Sequence, residues 1–150
     1  KYVGSDGRNH TPFVVHRALF GSIERFFALL IEHYRGDFPL WFAPVQFAIV
    51  PISQSHSDYC RRLEIDLKKL GLRGDADYTE INMRRKIKRF ETEKIPYILV
   101  VGDRDMEAGG FSVRSRKHES LGVMTLESLL AHIKDDLDQG KPRYILEEGM

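Results

Sequence analysis

The sequence predicts an α/β fold in which a sheet carries helices on both faces. Three observations predict it. Residues 46–52 and 96–102 are nearly continuous apolar runs, the pattern of strands buried on both sides. The segments between them repeat their apolar residues at helical spacing, so two strand–helix–strand crossovers follow, parallel and right-handed. Residues 111–116 then alternate strictly, and they follow Val101 too closely for anything but an antiparallel return.

Each element has its own signal. Residues 1–3 read as the end of a strand. The turn-rich 4–9 and a returning strand over 11–20 predict a hairpin, with Val14, His16 and Ala18 on one face and Phe13, Val15 and Arg17 on the other. A helix over 22–34, with Ser22 as N-cap, sets Ile23, Phe26, Phe27, Leu30, Ile31 and Tyr34 in one apolar stripe, expected to pack on that strand. In the junction 35–45, Gly36 ends the helix and Pro39 and Pro44 forbid regular hydrogen bonding. Trp41 and Phe42 are too apolar for a free tether, so a packed junction is expected.

Beyond the strand at 46–52, Ser55 and Asp58 predict a capping box for a helix to Leu70 that buries Cys60, Leu63, Leu67 and Leu70. Residues 72–78 read as a short edge strand. A helix over 80–92 buries Met83, Ile87 and Phe90, and its other face carries Arg84, Arg85, Lys86, Lys88 and Arg89. Residues 103–110 read as a turn with two glycines. In the strand after it, Phe111, Val113 and Ser115 share one face, and Ser112, Arg114 and Arg116 the other. A short strand at 121–124 and a helix capped by Thr125, with Leu126, Leu129, Leu130, Ile133 and Leu137 inside, complete the pattern. The tail after Gly140 is expected to be loosely held.

The 150 residues suffice for one domain, or one domain plus part of another. Net charge is +1, so no whole-molecule field draws the chain to nucleic acid. The distribution is uneven: residues 84–117 hold ten Lys/Arg against five Asp/Glu, and residues 126–150 three against six. Such blocks mark either a solvated face or a nucleic-acid footprint. The single cysteine, Cys60, excludes an internal disulfide and fits a reducing, cytoplasmic setting. No apolar run approaches the roughly 18 residues of a membrane span, and no signal peptide is visible. With no initiating Met and an opening inside a strand, the chain reads as a piece of a longer protein.

Arg25 stands in the first turn of its helix, where a cation is unfavourable unless an anion binds there too. By spacing alone it serves equally as a surface arginine paired with Glu24 or Glu32. His16 alone is an ordinary core or surface histidine, for no Cys-His metal spacing surrounds it.

The run Gly21-Ser22-Ile23-Glu24-Arg25-Phe26 resembles motif 3 of the class II aminoacyl-tRNA synthetases. With 14–20 before it and Phe38-Pro39-Leu40-Trp41-Phe42-Ala43-Pro44-Val45-Gln46 after it, the resemblance narrows to the threonyl-tRNA synthetases. It implies that residues 1–40 are the end of a catalytic domain. Residues 41–150 would then be an anticodon-binding domain, a mixed five-stranded sheet in three layers. It also implies a ligase that joins threonine to its tRNA with ATP and dimerises mainly through its catalytic domain. Here the chain would grip the anticodon stem-loop and position the acceptor end.

The same resemblance gives roles to residues. Arg25 would bind ATP phosphate, a task that suits a permanently charged, forked guanidinium. Ser22 would line the aminoacyl pocket. His16 would be one of three zinc ligands, beside a cysteine and a histidine from earlier in the full enzyme, and that zinc would hold threonine by its amino group and hydroxyl against valine. Without those ligands and the earlier class II motifs, the chain alone is expected to hold no tight zinc and form no adenylate. Elemental analysis and ATP–pyrophosphate exchange test this. For the anticodon, the resemblance implies Arg114 and Asp105, where the family usually has Glu, with Arg116 beside them on the strand face. Lys86 matches a family lysine. Glu80 stands where Asn is expected and Arg84 where Gly is, with Asn82 as a substitute two residues on. Two other readings stay open: an accessory RNA-binding relative that does not aminoacylate, and a plain interaction or dimerisation domain.

Overall fold

The computed structural model describes residues 1–117 and 120–138, in two compact units that divide between Arg35 and Gly36. The expectation for the tail after Gly140 falls outside the described residues. No described helix is long and apolar enough to cross a membrane.

The first unit holds β1 (Tyr2–Val3) paired antiparallel with β2 (Asn9–His10), then α1 (Ile23–Tyr34). The hairpin exists, but its return is two residues long, and the strand expected over 11–20 is absent. β-Branched composition alone does not make a strand; it needs a ladder partner and a covered face. Residues 11–20 have neither, and Phe13, Val14 and Val15 are exposed. The apolar stripe of α1 forms as expected yet has no strand to cover. None of its residues is buried, although Phe26 stacks on Phe20 at 4.6 Å. Ser22 occupies the N-cap position, but its hydroxyl donates to Glu24 instead of accepting from the backbone.

The second unit is a mixed five-stranded sheet in the order β4-β3-β5-β6-β7. β3 (Phe47–Pro51) runs parallel to β4 (Gly74–Ala76) and β5 (Tyr97–Val101); β6 (Phe111–Ser115) is antiparallel to β5, and β7 (Gly122–Met124) to β6. Every residue of β3 and β5 is buried, as their uninterrupted apolar runs require. On one face Phe47, Ile49, Leu99, Val101, Phe111 and Val113 pack with Cys60, Leu63 and Leu67 of α2 (Ser57–Lys69) and Leu129 and Ile133 of α5 (Leu126–Asp138). On the other, Ala48, Val50, Ile98 and Val100 pack with Ile87 and Phe90 of α3 (Met83–Thr92). Among the described residues one face thus packs against two helices and the other against one. The junction is packed: Leu40 and Ala43 are buried, and Gln46 and Arg73 hydrogen-bond the backbone carbonyls of Leu40, Trp41 and Ala43.

Several boundaries moved. The α2 entry is capped by Ser53 and His56 around a short 3-10 turn, Gln54–His56, instead of by Ser55 and Asp58. Leu70 is exposed, and Leu72 fills the core in its place. The third helix starts at Met83 because the Asn82 amide oxygen accepts from Arg84 N at 2.8 Å and ends the extended turn there. Lys86, expected on the charged face, is buried. Residues 103–110 contain a short helix, α4 (Asp103–Glu107), anchored where Asp105 accepts from Gly102 N at 2.9 Å. The sheet closes tightly at Gly110, where a Cβ would stand 2.6 Å from the Met124 carbonyl oxygen.

Candidate nucleic-acid interface

Among the described residues of the second unit, the helix over β3 and β5 leaves β6 uncovered on that side. The register pairs Ser112 with Val100 and Arg114 with Ile98, so both polar side chains share the face of the α3 core. Both are half-buried, which is what an uncovered strip of sheet permits. Beside this strip lies a groove of about 380 Å³. Ile95 and Ile98 give it an apolar surface, Arg114, Arg116 and Lys117 line it with cations, and Glu91 of α3 contributes one carboxylate. A cation-lined groove with a small apolar floor suits an unstacked base and its phosphates.

A second hollow, about 250 Å³, opens where β3 and β4 end. Parallel α/β sheets bind ligands beyond these carboxyl ends. Ser53, Gln54, Ser57, Thr79, Glu80 and Lys86 line it, with Tyr78 beside them. Lys86 is 4% exposed and its Nζ donates to the Asp77 carbonyl oxygen at 3.0 Å. The Asp77 carboxylate accepts from Thr79 N and Oγ1 and lies 3.1 Å from Arg89 Nη1. Burial pushes the Asp77 carboxyl up, but the Thr79 hydrogen bonds and the charges of Arg89 and Lys86 outweigh it and hold it below the usual carboxylate range. One buried acid therefore answers two cations.

The expected anticodon residues separate by environment. Arg114 lines the groove. Arg116 lines it too, but its guanidinium is held by the carbonyl oxygens of Lys94 and Phe38 and by Asp37. Asp105 is buried, accepting from Gly102 N and from Ser112 Oγ at 2.7 Å, so it ties the start of α4 to the strip. Glu80 and Lys86 belong to the second hollow, and Asn82 is the cap of α3. In the first unit His16 and Arg25 are exposed, Arg25 in the first turn of α1, with Ser22 just before it. Among the described residues no three His, Cys, Asp or Glu side chains cluster as a metal site, at His16 or elsewhere.

Sequence reasoning missed Glu91 and Lys117 in the groove and Asp77 beneath the second hollow. Glu91 had a signal: it is the lone acid of α3, on the same flank as Arg84 two turns earlier. Asp77 had a weaker one, an Asp two residues before a Thr, the pattern of an Asx turn.

Comparison with known proteins identifies the family. Residues 46–136 match the family described as Anticodon binding domain. The chain is 51% identical over 129 residues to the threonine–tRNA ligase of Thermus thermophilus, covering 86% of this chain and 20% of the ligase. It is 45% identical over 138 residues to that of Acidobacterium capsulatum, covering 92% and 20%. The chain thus spans about a fifth of the length of the curated relatives it matches. Among solved structures, the RNA binding domain of the threonyl-tRNA synthetase of Cryptosporidium parvum superposes with a TM-score of 0.71 at 26% identity, over 77% of this chain and 29% of that one. A prolyl-tRNA synthetase from the same organism gives 0.59 at 26% identity, over 68% and 22%. The chain belongs to the anticodon binding domain family, and within it to the kind carried by threonyl-tRNA synthetases.

Proposed function

We propose that the chain reads the anticodon of threonine tRNA as part of an ATP-dependent threonine–tRNA ligase, holding the stem-loop so that the acceptor end meets the catalytic site. The observation that carries this reading is the uncovered strip of β6, where Arg114 stands beside Ile98 at a base-sized groove. A base splayed from the loop enters the groove between Glu91 and Arg114, where Ile95 and Ile98 show only their edges. Arg114 forks onto two acceptors at its edge, as the O6 and N7 of guanine offer. Asp105 orients Ser112 and the end of β5 and does not itself touch the base. Lys86 and Glu80 serve the second hollow, where a neighbouring nucleotide can enter, and Asn82 fixes the start of α3 beside it. Arg116 acts mainly by tying the strand end to residues 37 and 38.

In this reading residues 1–40 belong to the catalytic domain of a cytoplasmic, homodimeric enzyme. Arg25 holds ATP phosphate, and Ser22 lines the pocket for threonine. His16 contributes one donor to a zinc whose remaining donors lie outside the described residues. Binding of the chain to threonine tRNA, beside the same tRNA with its anticodon changed, tests the proposal at two salt concentrations. Weaker binding of the changed tRNA at both is expected. Equal, salt-sensitive binding to both would contradict base reading.

A further inference from the structure

α3 carries five cations and one acid. Its cations are not alike. Lys86 is buried with its Nζ on the Asp77 carbonyl oxygen, and Arg89, on the flank toward β4, pairs with Asp77 at 3.1 Å and with Glu93 at 3.5 Å. Among the described residues, Arg84, Arg85 and Lys88 form no ion pair. Their positions oppose local stability. Arg84 and Arg85 occupy the first turn, which holds no acid, against the positive end of the helix dipole. Arg84 and Lys88 stand one turn apart, a repulsive spacing for like charges. In α2, by comparison, Lys68 pairs with Glu64 at 2.6 Å and Lys69 with Asp66 at 3.1 Å within the helix, and Arg61 lies over the Tyr78 ring, which leaves Arg62 without an ion pair among the described residues.

The uncompensated cations also have a direction. Glu91 lines the groove beside β6, and helical periodicity sets Arg84 on that same flank two turns earlier, with Lys88 between them and Arg85 further toward solvent. We infer that Arg84, Arg85 and Lys88 form a phosphate track along the wall of the groove, gripping the backbone of the single-stranded RNA whose base the floor receives. This rests on the anticodon-reading proposal for the identity of the RNA. The track itself is indifferent to sequence, since phosphates carry none. It adds affinity that salt removes, and it leaves base discrimination to the strand beneath.

The test is the salt dependence of binding between the 150-residue chain and threonine tRNA, for the wild type and for R84A/R85A/K88A. Each phosphate contact to a single strand contributes about 0.7 to the slope of log affinity against log salt, so three should lower it by about 2. The ratio of affinities for matched and changed anticodons should stay as in the wild type. R84K/R85K, which keeps the charges, should keep the slope. A slope change below about 0.7, less than one contact, would overturn the track. So would a parallel loss of anticodon discrimination in the triple variant, which would make these residues base readers. If the wild type binds without discriminating anticodons, the base-reading proposal fails while the slope still decides the track. If it binds no tRNA, both fail.

Discussion

Replacing Asp77 by asparagine tests the charge that organises the turn from β4 into α3. Its side chain is 1% exposed, lies 3.1 Å from Arg89 Nη1, and accepts two hydrogen bonds from Thr79. Lys86, buried one turn into α3, depends on the same acid for compensation. Asparagine keeps an oxygen for Thr79 but leaves two cations facing a neutral amide. Removing one partner of a buried pair costs about 3–5 kcal/mol. Arg89 is 44% exposed, so water takes over part of its charge, and a loss of about 2 kcal/mol is expected. With a urea dependence of about 1–3 kcal/mol per molar, the midpoint should fall by about 1 M. Trp41, the single tryptophan, lies in the second unit and reports its unfolding by fluorescence. D77N/K86M should recover part of the loss, because the stranded ammonium is gone. The Asp77 carboxyl is held below its ordinary value in the folded state, so its contribution is complete above the unfolded value of about 3.9. That contribution fades as pH falls through the folded value, and the gap between wild type and D77N should close there. A D77N midpoint equal to wild type at neutral pH would refute the buried-charge reasoning.

Three further outcomes follow from the packing. Burial pushes the Cys60 thiol up to about 12, so iodoacetamide at pH 8 should label it only after unfolding; rapid labelling of the native chain would contradict its placement. Gly110→Ala forces a methyl group against the Met124 carbonyl and should cost about 1–3 kcal/mol in thermal or urea unfolding, whereas an unchanged stability would mean β7 can move aside. Arg116→Ala removes hydrogen bonds to two carbonyl oxygens and an ion pair from a mostly covered side chain, and should lower stability by about 1–2 kcal/mol. Its affinity ratio between matched and changed anticodons should stay near wild type, and a collapsed ratio would make it a reader.

Where burial imposes a period, the sequence carried the architecture openly. β3 and β5 have to be apolar throughout because helices cover both sides, and β6 alternates because one side is left open. The same alternation set Arg114 on the uncovered face. What stayed hidden depends on single tertiary bonds or on missing partners. Residues 11–20 have strand composition but no ladder. α4 starts where Asp105 caps Gly102 N three residues back, and its further bond from Ser112 of β6, which no local pattern announces, hides a carboxylate expected at the surface. Lys86 looks like one more cation on a basic helix until the fold brings the Asp77 carbonyl to it. Glu91 reaches the groove by helical phase alone, and only the position of β6 gives that phase a meaning.

The measurement that bears most directly on the central claim compares wild type and Arg114→Ala for binding to threonine tRNA and to the same tRNA with a changed anticodon. A bidentate arginine–base contact is worth about 1–3 kcal/mol of discrimination, so the wild-type preference should shrink by about 5- to 150-fold in the variant. Binding to the changed tRNA should move little. A variant that keeps the full preference, or that weakens equally on both RNAs, would contradict base reading by this strand.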